Sequence, residues 1–126
     1  MNAAIEPWIS HAREDLEVAR HAVSAGWYKT ACFHAQQCGE KWMKALLILY
    51  GQSPSRSHNL DFLADLLEPY VQGIDSIREE ALVLTEYAVD ARYPNRMDIE
   101  QDEAIQAVHY ANRLRMWAAS QIDSFR

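Results

Sequence analysis

The chain has 126 residues, 24% of them charged, and a formal net charge of -6. That length fits one domain over residues 1–126 and buries roughly two thirds of its extended-chain surface, so neither disulfides nor a structural metal are needed for stability. The acid excess excludes a dedicated duplex-DNA binder, whose affinity rests on a net basic footprint, but leaves room for a local basic pocket that takes one nucleotide or a short RNA.

The opening MNAAIEPWISHARED lacks the basic start and apolar run of a secretory signal. The longest apolar run, ALLILY, falls far short of the ~20 residues of a membrane span. A cytoplasmic protein with no membrane contact is expected. Four Gly and four Pro leave few breaks, and most fall between periodic segments, which points to helices rather than a many-turned sheet.

The first predicted helix covers about residues 5–24, with Ile5, Trp8, Ile9, Ala12, Leu16, Ala19 and Val23 at helical spacing. Gly26 stands near its C-terminal cap. The second, about 27–50, is the strongest signal: Tyr28, Ala31, Ala35, Cys38, Trp42, Ala45, Leu46 and Leu49 share a face. Gly51 and Pro54 end it. Leu60, Leu63, Leu66 and Leu67 mark a shorter third helix, with Ser57 or Asn59 available as its cap. Ser76 and Glu79 have capping-box spacing ahead of a fourth helix through Ile77, Ala81, Leu84, Ala88 and Ala91, which Pro94 should stop. Asp98 and Gln101 repeat that spacing at the start of a fifth helix that runs to about Ile122. The expected fold is an all-α antiparallel up-and-down helical bundle of four long helices plus one shorter helix.

The second helix carries the chemistry. At about 100° per residue, His34, Lys41 and Lys44 fall within roughly 60° of Gln37, and Glu40 lies about 60° to the other side. Gln36 is displaced toward the flank. The plainest reading is a solvated face, with Glu40 and Lys44 as a favourable i, i+4 pair. The mixture of His, Gln and Lys donors, however, suits phosphate and base edges better than a generic Glu/Lys surface does. His58 and Arg56, in SRSHNL at the mouth of the third helix, stand where helix amides are open to a phosphate. Tyr87, Arg92, Tyr93 and Arg96, in YAVDARYPNR, offer a guanidinium fork and stacking rings.

Other chemistries lack their signatures. The five histidines His11, His21, His34, His58 and His109 form no HxxxH pair, and no Cys/His ligand spacing or Glu-x-x-His motif is present. No metal or cofactor is therefore expected. Cys32 and Cys38, six apart on one helix, point in different directions and read as reduced, partly buried thiols. There is no Gly-rich phosphate loop.

The order Trp8, Asp15-Leu16, Ala19, then WYKTACFHAQQCGEKWMKALL, HNLDFL, and Tyr87 followed by RYP resembles the HEPN family, the higher eukaryotes and prokaryotes nucleotide-binding domain. Asn59 in HNL replaces the Asp of that family's His-Asp-Leu element. The resemblance implies a compact bundle, a homodimer, and pairing with a minimal nucleotidyltransferase in a toxin–antitoxin-like system. It also implies one of two branches. RNA endonucleases of the family carry an Arg four to six residues before a His. Here Arg13 and Arg20 stand eight residues and one before His21, Arg56 two before His58, and Arg96 thirteen before His109. No catalytic residue is assigned on that basis, and the metal-independent RNA endonuclease toxin is the alternative reading. The implied nucleotide site uses Lys41 and Lys44 as phosphate charges and His34 and Gln37 as hydrogen-bonding groups. His58 and Arg92 close it from the helix ends, with Tyr87 or Tyr93 for stacking.

Overall fold

The computed structural model describes residues 2–88 and 98–125. Among these residues five helices form the predicted all-α bundle: α1 (Glu6–Ala25), α2 (Tyr28–Leu49), α3 (Leu60–Leu67), α4 (Arg78–Thr85) and α5 (Gln101–Ser124), with a 3-10 turn at Ile74–Ile77 before α4. None of the described helices is long and apolar enough to cross a membrane.

The first two helices end in the same way. Gly26 (φ 80°) and Gly51 (φ 77°) take the left-handed conformation that costs glycine least. The next amides, of Trp27 and Gln52, reach back to the carbonyls of Ala22 and Leu47 at 2.8 Å each, closing the last turns. Only Gly26 and Trp27 separate α1 from α2, so the two helices lie side by side as a hairpin. At α3, Asn59 is the cap: its Oδ1 accepts from the amide of Phe62 at 3.0 Å.

Three starts and stops differ from the sequence reading. Ser76 donates to the Gly73 carbonyl at 2.7 Å instead of capping α4, and Ile77 holds the cap position without a side-chain bond. Glu100, not Asp98, precedes α5, also without a side-chain cap. Within the described residues α4 closes at Thr85, where the amides of Glu86 and Tyr87 take tight i−3 bonds to Val83 and Leu84. Thr85 Oγ1 donates to Ala81 and accepts from the amide of Leu60. Among the described residues three long helices thus frame two short ones; Ala91 and Pro94 lie outside them.

α2 is the centre of the bundle, packed against α1, α3, α4 and α5. Its apolar residues Ala31, Cys32, Ala35, Cys38, Trp42, Met43, Ala45, Leu46 and Leu47 belong to one continuous core. Small residues let the neighbours approach. A Cβ on Gly39 would stand 3.0 Å from Leu60 Cδ1, 3.4 Å from Leu114 Cδ1 and 3.6 Å from Leu84 Cδ1, so α3, α5 and α4 all converge on this point of α2. A helix enclosed on so many sides cannot turn all its polar residues to water.

Candidate functional site

Two carboxylates organise the polar residues of α2, and each holds one lysine and one histidine. Asp15, on the face of α1 that meets α2, accepts His34 Nδ1 at 2.9 Å and Lys41 Nζ at 2.5 Å. His34 and Lys41 are two turns apart on α2, so one carboxylate bridges them from the neighbouring helix.

Glu40 is the second centre. It receives Lys44 Nζ at 2.9 Å, Gln36 Nε2 at 3.0 Å and His58 Nδ1 at 3.0 Å. Gln36 also donates to the His58 carbonyl at 2.9 Å, which fixes the segment leading into α3. Gln37 joins in, donating to Gln36 Oε1 at 2.7 Å.

The two centres differ in depth. Side-chain exposure is 6% for both Lys44 and Glu40, against 23% for Lys41 and 10% for Asp15. Burial pushes the Glu40 carboxyl up, but the hydrogen bonds from Lys44, Gln36 and His58 together outweigh it and leave the group below its ordinary value. Lys44 therefore faces inward as the counterion of Glu40 rather than outward as a phosphate charge, and Gln36, read from the sequence as a flank residue, is fully buried.

Both imidazoles meet their carboxylates through Nδ1. In the neutral ring this places the proton on Nδ1 and leaves Nε2 as an acceptor; in the charged ring Nε2 becomes a second donor. His58 has 61% of its side chain in solvent and His34 has 28%. The open surface of the site thus consists of His34, Gln37, Lys41 and His58, with Asp15, Gln36, Glu40 and Lys44 behind them.

Tyr87 does not join this surface. Its ring is buried in the core, and its hydroxyl donates to Glu103 Oε2. Burial first, and then the bond to Glu103, raises its pKa. Arg92 and Tyr93 lie outside the described residues. Among the described residues no three His, Cys, Asp or Glu side chains are grouped to hold a metal ion. Beside Lys41, a cavity of about 240 Å³ is lined by Pro7, Trp8 and His11 of α1.

Asp15, Gln36 and Glu40 are the organising residues absent from the site expected on sequence grounds. Asp15 carried a sequence signal: it lies in the apolar register of α1, three residues after Ala12 and one before Leu16. A charged residue in that stripe needs a partner on the facing helix.

Comparison with known proteins agrees with this architecture. A crystal structure of TT1696 from Thermus thermophilus superposes with a TM-score of 0.85 at 27% identity, covering 93% of this chain and 97% of that one. ST0689, an archaeal HEPN homologue, matches with a TM-score of 0.77 at 32% identity over 94% of this chain and 97% of that one. An HEPN domain protein from Thermotoga maritima, 21% identical with a TM-score of 0.78 and 95% and 100% coverage, shares the fold. A segment of 44 residues is 48% identical to the Methanocaldococcus jannaschii protein named "Putative toxin MJ1304"; it spans 35% of this chain and 29% of that protein. The HEPN domain model itself matches residues 5–122, and the chain belongs to the HEPN domain family.

Proposed function

We propose that this HEPN chain binds a nucleotide on the open face of α2 and acts as a homodimer beside a minimal nucleotidyltransferase, in a toxin–antitoxin-like pair. The observation that carries the reading is the Asp15–His34–Lys41 group: two nitrogen donors held by one carboxylate at the edge of a cavity. Pre-positioned donors lower the ordering cost of gripping a phosphate. Gln37 and His58 extend the same surface. Lys44 serves it indirectly, by holding Glu40 and through it His58. The short match to a protein with toxin in its name supports the paired-system part of the reading.

Titration calorimetry with nucleoside mono-, di- and triphosphates tests the ligand. His34→Ala should weaken binding by about tenfold or more, the loss of one charge-assisted hydrogen bond. An affinity unchanged by both His34→Ala and Lys41→Ala, in folded variants, would remove this face from the function. Co-expression with the nucleotidyltransferase encoded nearest the gene tests the pairing, with a stable co-purifying complex as the expected result.

The exposed, carboxylate-held His58 favours one other reading, metal-independent RNA cleavage, because a general base needs an oriented imidazole. The missing Arg-to-His spacing weighs against it. RNA degradation that persists in EDTA and vanishes in His58→Ala would establish it.

A further inference from the structure

The cavity beside Lys41 adds something that the polar residues alone do not provide. Trp8, His11 and Asp15 follow one another at i, i+3 and i+7 on α1 and so form one stripe along its face. Asp15 ends that stripe at His34 and Lys41. Pro7, Trp8 and His11 begin it and, with Lys41, line the 240 Å³ cavity, which is open to solvent on one side. Lys41 is shared: its ammonium reaches Asp15 while its side chain lines the cavity. An ammonium has three N–H donors, so the bond to Asp15 leaves others for a ligand.

We infer that this cavity is the seat of a nucleobase, stacked on the half-buried indole of Trp8, with its ribose and phosphate directed along α1 toward His34. This rests on the nucleotide reading above and specifies its base end. Three properties favour a base. The volume is below the roughly 300–1,000 Å³ typical of sites that enclose a whole drug-sized ligand, so one ring system fits and the rest lies along the surface. One of the lining residues is Trp8, whose indole is the kind of flat aromatic ring on which every base can stack. The lining is almost wholly apolar, which suits the ring faces of a base rather than a sugar or a phosphate. From Trp8 to Asp15 the helix rises about 10 Å, a separation on the scale of one nucleotide from base to phosphate.

The test uses the full chain with nitrogen-15 in its indoles and follows the Nε1–H signals of Trp8, Trp27, Trp42 and Trp117, with Trp8→Phe identifying the first. Adenosine, guanosine, cytidine and uridine are added separately, and ribose 5-phosphate probes the phosphate end without a base. At least one nucleoside should shift the Trp8 signal saturably while the others stay in place. Trp8→Ala should weaken nucleoside binding about tenfold or more, the loss expected for one base stack, and Trp8→Phe should retain most of it. If no nucleoside moves the Trp8 signal, or Trp8→Ala binds as tightly as the parent chain, the base seat is wrong. Ribose 5-phosphate binding that depends on His34 would then leave the nucleotide face standing without the seat. Nucleoside binding at Trp8 with nucleotide affinity indifferent to His34 would leave the seat standing and remove the phosphate end.

Discussion

Asp15 and Glu40 make an internal comparison, because each joins one lysine and one histidine to one carboxylate, through bonds of 2.5–3.0 Å. At Glu40 the lysine lies as deep as the acid; at Asp15 the lysine stands at the edge of a cavity. The same residue types therefore do different work according to solvent access. Deep inside, a lysine chiefly keeps a carboxylate from being an isolated buried charge. At a rim, it keeps donors for a ligand.

The largest expected effect comes from breaking the deep pair. Lys44→Ala should lower stability by about 3 kcal/mol or more, the usual cost of stranding one member of a buried ion pair. Lys41→Ala should cost less, about 1–2 kcal/mol, because His34 still meets Asp15 when the lysine is gone. Urea midpoints measure both, and equal losses would break the contrast.

Acid provides the second probe. The Glu40 carboxyl is held below its ordinary value of 4.5, so the folded state binds that proton less readily than the unfolded chain. Its contribution is complete above about pH 4.5 and is lost as pH falls below that value toward the folded pKa. Urea midpoints taken from pH 7 to pH 3 should fall on the acid side. Glu40→Gln should start less stable and show a smaller fall; an unchanged acid slope would mean that Glu40 contributes none of it.

The smallest effect marks the solvent limit. Arg78 meets Asp61 at 3.1 Å and Asp65 at 2.7 Å, with Glu68 and Asp75 at 4.0 Å, all on partly or largely exposed side chains. Arg78→Ala should cost about 1 kcal/mol or less, and less again in high salt. A loss as large as that of Lys44→Ala would show that charge number, rather than depth, sets the scale.

The helical periods of α1 and α2, the Asn59 cap and the glycine stops were legible in the sequence because each depends on neighbours a few residues away. The inward direction of Gln36, Glu40 and Lys44 was not, since a helical wheel assumes one wet side and α2 is packed against four other helices. Gly39 held the clue: an isolated glycine within a strong helical pattern marks a close approach, and the residues around it must share that enclosure. The two capping-box readings failed because sequence spacing does not determine which residue leaves the helical conformation first.

The enclosure of α2 also shields its sulfur. Cys32 and Cys38 are both fully buried, and burial, helped by the charge of Asp15, pushes the Cys38 thiol up to about 12. At neutral pH that group is almost wholly the unreactive thiol. A reagent such as a disulfide or maleimide must wait for the helices to part, so the rate of modification counts opening events. The chain carries its own clock for how often the centre of the bundle comes undone.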